Sequence, residues 1–534
     1  MASTIPKTAE ENDSPTSLNQ ERDDKMPGGI PFIVGNEFAE RFCFYGINAI
    51  LTVYMTRFLR FGDAEATTWH SLFKSGAYFF PLVGAIVSDV FWGKFRTIMV
   101  FSLAYVAGCS VLALWPGKEG MLLGLFLVAF GTGGIKPCVS TNVGDQFTSK
   151  NQHLIERAFS YFYLAINAGS SISIYFCPVL LNKYGPRYAF GMPAAMMFVA
   201  SIIFWLGRNK YAHVPPAGKA WLEDVVSKQG LSLVAKLAVI YLFVAGFWAL
   251  WDQSNGQTWT LQAESSLMDK NLGFGFVLLP AQIQVVNGLL ILALVPVFTF
   301  AIYPLMGKFF TVTPLRKIGI GFFVTASSFL VVGRIEGHIQ AGQTVSAWWQ
   351  MFAYVIVTCG EILVSITALE FSYKQASLKM KSFIMAMFLL SVSLGNAMTG
   401  YVNHAMVKPL SVTAIESGSD TWVTLSNAKG FVTGQKLDLS STGLSAQGAE
   451  KKALEGTFLV AAIDEAQSRV KLMDVVDRKP VASTGSFEPK KAQVSTYKLV
   501  GPEYFYFFTL LMSAMGVLFI FVARGYREQT HVRG

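Results

Sequence analysis

Ionisable side chains within long apolar segments are the part of this sequence that can do chemistry. A charge inside a bilayer is costly, so each such residue is a functional hypothesis by default. Four acids and two bases qualify: Glu37, Glu40, Asp252 and Glu361, against Arg41 and Lys136. Even with both bases paired, two acids lack a counter-charge. Because a buried, unpaired carboxylate takes up a proton, the excess of acids predicts proton binding that is coupled to another process.

Three of these residues lie on the first apolar segment, within NEFAERFCFYG. Glu37 and Arg41 are one helical turn apart on one face, and Glu40 is a neighbour on that face. Arg41 can therefore pair with Glu37 while Glu40 alternates between ion partner and proton carrier. The alternative is a structural ion cluster that braces neighbouring helices, which is a weaker explanation inside a membrane than in a soluble core.

The fourth apolar segment, GTGGIKPCVSTNVGDQF, carries a lysine at a helix bend. Its glycines permit close helix contact, and Pro137 bends the helix beside Lys136. Lys136 lies more than two turns from either end, which favours an inward-facing cation over one that reaches the membrane surface. We expect it to bind a substrate carboxylate or the Glu37/Glu40 cluster.

A short loop after the second segment, GAIVSDVFWGKFR, combines a glycine, an acid and basic residues. This pattern resembles the gate motif of major facilitator transporters. Asp89 can cap or pair with the basic loop residues, Arg96 among them, and with a neighbouring helix end. Asp145, at the end of the fourth segment, is expected to be a helix-end or gate residue.

Membrane helices are the elements that must position these charges. The 534 residues are 52% hydrophobic and only 14% charged, against about 25% charged in an ordinary soluble domain. Crossing a bilayer takes about 20 mostly apolar residues. Twelve segments of this kind are present: 30–58, 70–92, 98–115, 121–143, 158–181, 188–206, 231–261, 276–303, 315–333, 347–371, 383–406 and 504–523. The sequence predicts an all-α polytopic membrane protein.

The loop charges predict how these helices are oriented. Loops after even-numbered segments contain fourteen Lys and Arg, and loops after odd-numbered segments contain seven. The positive-inside rule therefore places both termini in the cytoplasm and accounts for the net charge of +9 without nucleic acid. The predicted organisation is a cytoplasmic tail, a six-helix half, a cytoplasmic linker, helices 7–11, and helix 12 with a second tail: 1–28, 29–206, 207–230, 231–406 and 500–534.

Residues 407–499 differ from the rest of the chain. Short runs that alternate apolar and polar residues, such as TWVTL and RVKLMDVV, are separated by Gly, Asn and Asp turns. This pattern predicts a small β-rich soluble insertion between helices 11 and 12, on the periplasmic or extracellular side. It has no cysteine and no recognisable chemistry, so we expect an accessory or stabilising domain, with a binding module as the alternative.

Five strings of this sequence resemble the proton-dependent oligopeptide transporter (POT) family: NEFAERFCFYG, FGTGGIKPCVSTNVGDQF, FYLAINAGS, FWALWDQSNGQTWTLQA and GEILVSITALEFSYKQA. The resemblance covers all twelve segments but neither 1–28 nor 407–499. It implies a major facilitator fold with two six-helix halves, alternating access, and inward transport of di- and tripeptides with protons. The stretch 207–230 is too short for the two extra helices of many bacterial relatives, so twelve spans are expected.

The resemblance also assigns residues to two charged poles. The cationic pole comprises the proton-coupling triplet and the lysine that approaches the peptide carboxylate: Glu37, Glu40, Arg41 and Lys136. The anionic pole receives the peptide amino terminus: Glu361 with Asn167 and Asn287. A zwitterion needs opposite poles across one cavity, and the charges of these residues provide them, in agreement with the peptide substrate that the resemblance implies. Four aromatic residues either line side-chain pockets or pack the helices: Phe44, Tyr45, Tyr78 and Trp251.

One position departs from the family pattern. Asn48 replaces an arginine that, in many relatives, bridges to the seventh-helix acid and closes the outer gate. Asp252 is therefore expected to have no such partner in this chain and to protonate more easily. The hypothesis is that Asp252 is itself a proton site coupled to opening of the outer gate.

Two other functions stay open at this point. The first is a carrier of the same fold for nitrate or a carboxylate, as in plant relatives, although Glu361 favours peptides because a small anion needs no anionic pole. The second is a receptor or scaffold that uses residues 407–499. An enzyme is not expected, since the sequence has no nucleophile–base pair, metal-ligand spacing or nucleotide motif. We expect no cofactor or metal beyond the coupling proton, no nucleic-acid partner, and a monomer in a bacterial inner membrane.

Overall fold

The computed structural model describes residues 25–148, 150–216, 226–273, 275–375, 381–446 and 452–526. Most of the predicted tail at 1–28 and part of the predicted linker at 207–230 lie outside these residues. The first half of the described chain consists of six long helices: α1 (Ile30–Arg57), α2 (Asp63–Ile86), α3 (Lys94–Leu114), α4 (Lys118–Asp145), α5 (Ile155–Tyr184) and α6 (Pro186–Leu206). A π-helical turn, Val87–Trp92, extends α2.

The second half contains helices that are interrupted more often. Two spans continue through a π-helical stretch into a further helix, at Phe298–Ile302 and at Ile362–Ile366. The helices are α7 (Lys228–Ser254), α8 (Thr258–Glu264), α9 (Val285–Val297), α10 (Tyr303–Gly307), α11 (Pro314–Gln340), α12 (Ala347–Glu361), α13 (Thr367–Gln375), α14 (Lys381–Met406) and α15 (Pro502–Gly525).

The predicted seventh segment, 231–261, is not one helix. It breaks after Ser254 because Gly256 takes a positive φ of 80°, a conformation that L side chains rarely adopt. A Cβ at Gly256 would also collide with the Asn48 backbone of α1. The break exposes the Asn255 carbonyl, which α1 uses as a hydrogen-bond acceptor.

Twelve helical spans in two halves form the membrane part, as the sequence predicts. Eleven helices of the described residues are long and apolar enough to cross a bilayer. The first, α1, has 28 residues and is long enough to be the twelfth, at about 1.5 Å per residue. Each half has its own hydrophobic core, one built mainly on α1–α6 and the other on α7–α15. The ionisable residues of the candidate functional site, described below, lie between these two cores.

The predicted β-rich insertion is confirmed. Its main sheet has seven strands in the order β3-β12-β6-β9-β10-β5-β4, and a second sheet has the order β11-β7-β8. Its strands are β3 (Val407–Leu410), β4 (Val412–Glu416), β5 (Trp422–Leu425), β6 (Lys436–Ser440), β7 (Leu444–Ala446), β8 (Lys452–Ala453), β9 (Gly456–Asp464), β10 (Arg469–Asp474), β11 (Ser483–Gly485) and β12 (Gln493–Tyr497). The pairing between main-sheet neighbours is antiparallel, and the insertion has a separate hydrophobic core.

Two short strands, β1 (Met268–Asp269) and β2 (Val345–Ser346), pair in parallel at the same end of the helical bundle. We call this the insertion end. It also carries the C-terminus of α1 and the start of α2, while the end of α2 and the end of α4 lie at the opposite end.

Candidate functional site

The charged triplet on α1 forms the compact cluster that its spacing predicts. Arg41 Nε lies 2.7 Å from Glu37 Oε1 and 2.9 Å from Glu40 Oε2. The Thr132 hydroxyl on α4 donates a hydrogen bond to Glu40. Both carboxylates are almost fully buried. One guanidinium thus compensates two acids, so the cluster carries a net negative charge when both acids are ionised.

Lys136 lies close to this cluster but does not pair with it. Its Nζ is 3.9 Å from the ring centre of Phe44 and 4.0 Å from that of Tyr78. Among the described residues this amine has no hydrogen-bond partner. Cation–π contacts stabilise the charge without neutralising it. Of its two expected partners, the Glu37/Glu40 cluster is therefore not engaged here, and the amine is available to a ligand carboxylate.

Glu361, at the end of α12, is held by neutral donors. Its Oε2 accepts hydrogen bonds from Trp251 Nε1 at 2.9 Å and from Asn287 Nδ2 at 2.8 Å. Asn287 is itself oriented by a 3.0 Å hydrogen bond to Thr358 Oγ1. Within the described part of the chain no base pairs with Glu361. Its position is fixed while its charge stays uncompensated.

Tyr45 and Tyr78 lie beside the cationic pole, and one predicted residue joins neither pole. Tyr45 packs edge-on against Phe44, with ring centres 5.5 Å apart. Tyr78 stacks edge-on against Phe44 beside Lys136. Asn167, by contrast, donates its side-chain amide to the Tyr163 carbonyl of its own helix at 2.8 Å and not to Glu361.

The expectation that Asp252 lacks a cation is wrong. Lys74 of α2 forms an ion pair with Asp252 of α7, and Asn396 of α14 donates to the same carboxylate. Lys74 is 3% exposed and Asp252 is 1% exposed, so the pair is shielded from water. It joins the two halves. Asp252 thus has a cationic partner from a helix of the other half.

Asn48 takes part in a second connection between the halves. Its Nδ2 donates to the Asn255 carbonyl at 3.2 Å, and its Oδ1 lies 2.9 Å from His70 Nε2. The other ring nitrogen of His70 is 2.7 Å from the Thr52 hydroxyl. A histidine and three neutral groups thus make this second connection.

Sequence analysis missed Lys74 and His70. Both lie on the second apolar segment in WHSLFKSGAY, one turn apart and on the face that meets α14 and α7. Their spacing was the available signal.

The insertion end is closed, and a cavity lies toward the opposite end. Polar contacts cross between the halves at the insertion end: Asn48 to Asn255, Ser71 to Gln257, Lys74 to Asp252 and Arg57 to Glu264. A cavity of about 430 Å³ extends from Lys136 to Asp89 and Lys94 between α2, α4, α13 and α14. At that opposite end Lys94 pairs with Asp145, whereas Arg96 is exposed.

Twelve spans in two halves, closed at one end around a central set of buried charges, define a membrane protein of the major facilitator fold. The model of the POT family matches residues 95–229 and 219–423, more than half of the chain. The chain therefore belongs to the POT family.

Solved structures agree with this placement. The POT family transporter PepTSo is 34% identical, with a TM-score of 0.66 over 71% of this chain and 90% of that one. A structure described as an auto inhibited POT family peptide transporter is 26% identical, with a TM-score of 0.70 over 95% of this chain and 99% of that one. The second match leaves too few residues uncovered to omit the insertion.

Curated relatives match the chain over its transporter part. Human solute carrier family 15 member 2 is 37% identical over 59% of this chain and 49% of its own length. Peptide transporter family 1 of Drosophila melanogaster is 36% identical over 59% of this chain and 48% of its own length. The chain thus spans about half the length of the curated relatives it matches.

Proposed function

We propose that this chain is a proton-coupled symporter that imports di- and tripeptides by alternating access. The observation that carries the proposal is a pair of opposite charges without an ionic partner, Lys136 on the first half and Glu361 on the second. A peptide zwitterion supplies the two missing counter-charges at once. Relatives named as peptide transporters support the same substrate class.

The proposed orientation has the insertion end outside and both termini in the cytoplasm. Loop charge supports this, since the bases are concentrated in the loops at the end opposite the insertion. In this orientation the conformation is closed to the outside, and the cavity between Lys136 and Asp89 leads toward the cytoplasm. The compact loops support a bacterial plasma membrane, although the curated relatives compared above are animal proteins. We also propose that the proton is the coupling ion, with no other cofactor, and that the protein acts as a monomer.

The proton pathway is proposed to run through two acid clusters. Protonation of Asp252 removes the charge that holds Lys74 and so weakens the connection between the halves at the insertion end. Protonation within the Glu37/Glu40 cluster frees Arg41 from one of its two partners, and Arg41 then joins Lys136 in binding the peptide carboxylate. Rocking of the halves opens the Asp89 end. Loss of the proton there returns Arg41 to its carboxylates and releases the peptide.

The test is uptake of labelled dialanine into proteoliposomes under an imposed inward proton gradient. We expect accumulation by the wild-type chain and its loss in Glu361→Gln, which keeps the shape of the side chain and removes its charge. Glu119→Gln is the matched control, because Glu119 is an exposed acid at the start of α4. Wild-type protein that is folded but does not accumulate dialanine would contradict the proposal, and nitrate and carboxylates would then be screened.

A further inference from the structure

The insertion is anchored to the second half of the transporter. It begins directly after α14 and returns directly into α15, and Lys498 N–H donates to the Met406 carbonyl at 2.8 Å where the two chain segments meet. Two more hydrogen bonds reach the same half: Arg478 Nη1 to the Ile339 carbonyl at 2.9 Å, and Ser266 N–H to the Val476 carbonyl at 2.9 Å. The insertion must therefore move with the second half.

Its contact with the first half is small and of a different kind. The first N–H groups of a helix have no partner within the helix, and the residue that precedes α2, Gly62, has no side chain to cap them. The insertion supplies the acceptors. Asp63 N–H donates to Thr457 Oγ1 at 2.8 Å, and Ala64 N–H donates to the Tyr497 hydroxyl at 3.3 Å. We call this set, with the residues described next, the latch contact.

A half-buried ion pair and a close approach complete the latch contact. Lys436 Nζ donates to Asp63 Oδ2 at 2.7 Å. A Cβ at Gly62 would collide with the carboxylate of Asp438, although the φ of Gly62, −64°, is ordinary for any residue. Glycine is needed there for space and not for its backbone freedom. Asp438 is held in place by Thr457 Oγ1 at 2.7 Å and by the Tyr497 hydroxyl at 2.5 Å.

The interface under the latch contact is polar and incompletely packed. A cavity of about 100 Å³ lies where the two halves and the insertion meet. Its polar lining comes from all three parts: Asp63 and Thr67, Glu336 and Asn403, Lys436 and Tyr497. Permanently packed interiors leave few voids of this size, and groups of this kind can exchange their partners for water. Both features suit a contact that parts and re-forms.

We propose that residues 407–499 are a latch that holds the insertion end closed and that must release the start of α2 each time this end opens. The inference rests on the proposed alternating access, since rocking of the halves separates α2 from the insertion. Opening then leaves the first-turn N–H groups of α2 and the charge of Asp63 to water. The insertion thereby favours the conformation that is closed at its own end.

A reversible cross-link tests the latch in the full chain. In Gly62→Cys/Asp438→Cys the two side chains are adjacent, and oxidation fixes the insertion to α2. The five native cysteines lie in the helical part, and four of them are buried. We expect dialanine uptake to fall at least about tenfold on oxidation and to return with reductant. Oxidised protein that is fully cross-linked and transports at the reduced rate would overturn the latch.

The matched control joins the insertion to its own half. In Ser266→Cys/Val476→Cys the cross-link closes a contact that does not change during rocking, so uptake should be unaffected by oxidation. Loss of uptake in both pairs would mean that cross-linking itself impairs transport, which removes the support for a latch. Wild-type uptake in the same vesicles tests the proposed function separately, so the two failures are distinguishable.

A second measurement does not depend on transport. Ser71 is buried between the halves at the insertion end, where it donates to Gln257 Oε1 at 3.0 Å. In Ser71→Cys protein, a membrane-impermeant maleimide reports opening of that end. Lys436→Met with Thr457→Val should raise the labelling rate about tenfold, because a charged and a neutral hydrogen bond are lost. Arg478→Met, on the anchored side, should leave it unchanged. An unchanged rate in Lys436→Met/Thr457→Val would overturn the proposal.

Discussion

Charges at the contact between the two halves are paired, whereas the charges of the proposed peptide site are not. At the contact, Lys74 and Asp252 face each other with Asn396 completing the carboxylate. Away from that contact, Lys136 lines the cavity and lies against aromatic rings, and Glu361 accepts hydrogen bonds from neutral donors. Burying an unpaired charge is costly. Such a charge is retained where a proton or a ligand neutralises it. The paired charges therefore stabilise one conformation, and the unpaired charges are available to bind a substrate.

The largest expected effect comes from breaking a paired charge. Lys74→Met leaves Asp252 buried with only a neutral donor, which should destabilise the closed protein by about 3–5 kcal/mol. Thermal inactivation in detergent measures this loss. The double variant Lys74→Met/Asp252→Asn removes both charges and should recover most of the stability.

The double variant also provides the control for this prediction. If Lys74 acts only through Asp252, the effects of the two single substitutions will be far from additive. Additive effects on stability would mean that Lys74 and Asp252 do not act as a pair. The contrast between paired and unpaired charges would then be wrong.

The second prediction concerns an unpaired charge, for which stability and binding should separate. Glu361→Gln removes a charge that has no opposite partner in the described protein, so thermal stability should not fall and should rise slightly. Dialanine affinity should fall by about 2 kcal/mol or more, roughly 30-fold, because the peptide ammonium loses its ionic partner. Equilibrium binding and thermal inactivation on the same preparation measure both. A large loss of stability would place Glu361 among the paired, structural charges.

The smallest effect concerns a charge shared between the insertion and the first half. Burial raises the pKa of Asp438 to about 7, and the nearby charge of Asp63 adds to the rise, whereas Lys436, Thr457 and Tyr497 oppose it. Glu336 also acts on Lys436. We call the state in which the latch contact is formed docked. A carboxyl whose pKa is higher in the docked state favours that state at low pH, and this contribution is lost as pH rises from about 4 to about 7.

Spin labels on exposed positions 65 and 429 can follow this pH dependence through their distance distribution. The docked fraction should decrease between about pH 4 and about pH 7, by at most roughly tenfold per pH unit, because a single proton is involved. Asp438→Asn cannot titrate and should show no such decrease. An equal decrease in Asp438→Asn would assign the effect to another group.

Much of the fold could be predicted from the sequence, because hydropathy and turn residues are local signals. Runs of apolar residues located the spans, and alternation located the insertion. The break after Ser254 was not predictable, since the approach of Gly256 to the backbone of Asn48 is a tertiary contact. No local pattern distinguishes that stretch from a continuous helix.

The site was predictable where charge alone decides. An acid such as Glu361 inside an apolar segment is conspicuous, and so is the i,i+4 spacing of Glu37 and Arg41. Partner choice was not predictable, because it depends on which helices meet. Lys74 reaches Asp252 only because α14 packs against both α2 and α7, and the two acids near Lys136 are already paired with Arg41.

We propose that Lys136 and Glu361 bind opposite ends of one peptide. Competition against labelled dialanine by N-acetyl-dialanine and by dialanine amide tests it most directly, in the wild type, Glu361→Gln and Lys136→Met. The wild type should prefer free dialanine over both blocked forms. Glu361→Gln should lose only the discrimination against the acetylated form, and Lys136→Met only the discrimination against the amide. If Glu361→Gln still discriminated against the acetylated form as strongly as the wild type, Glu361 would not bind the peptide amino terminus.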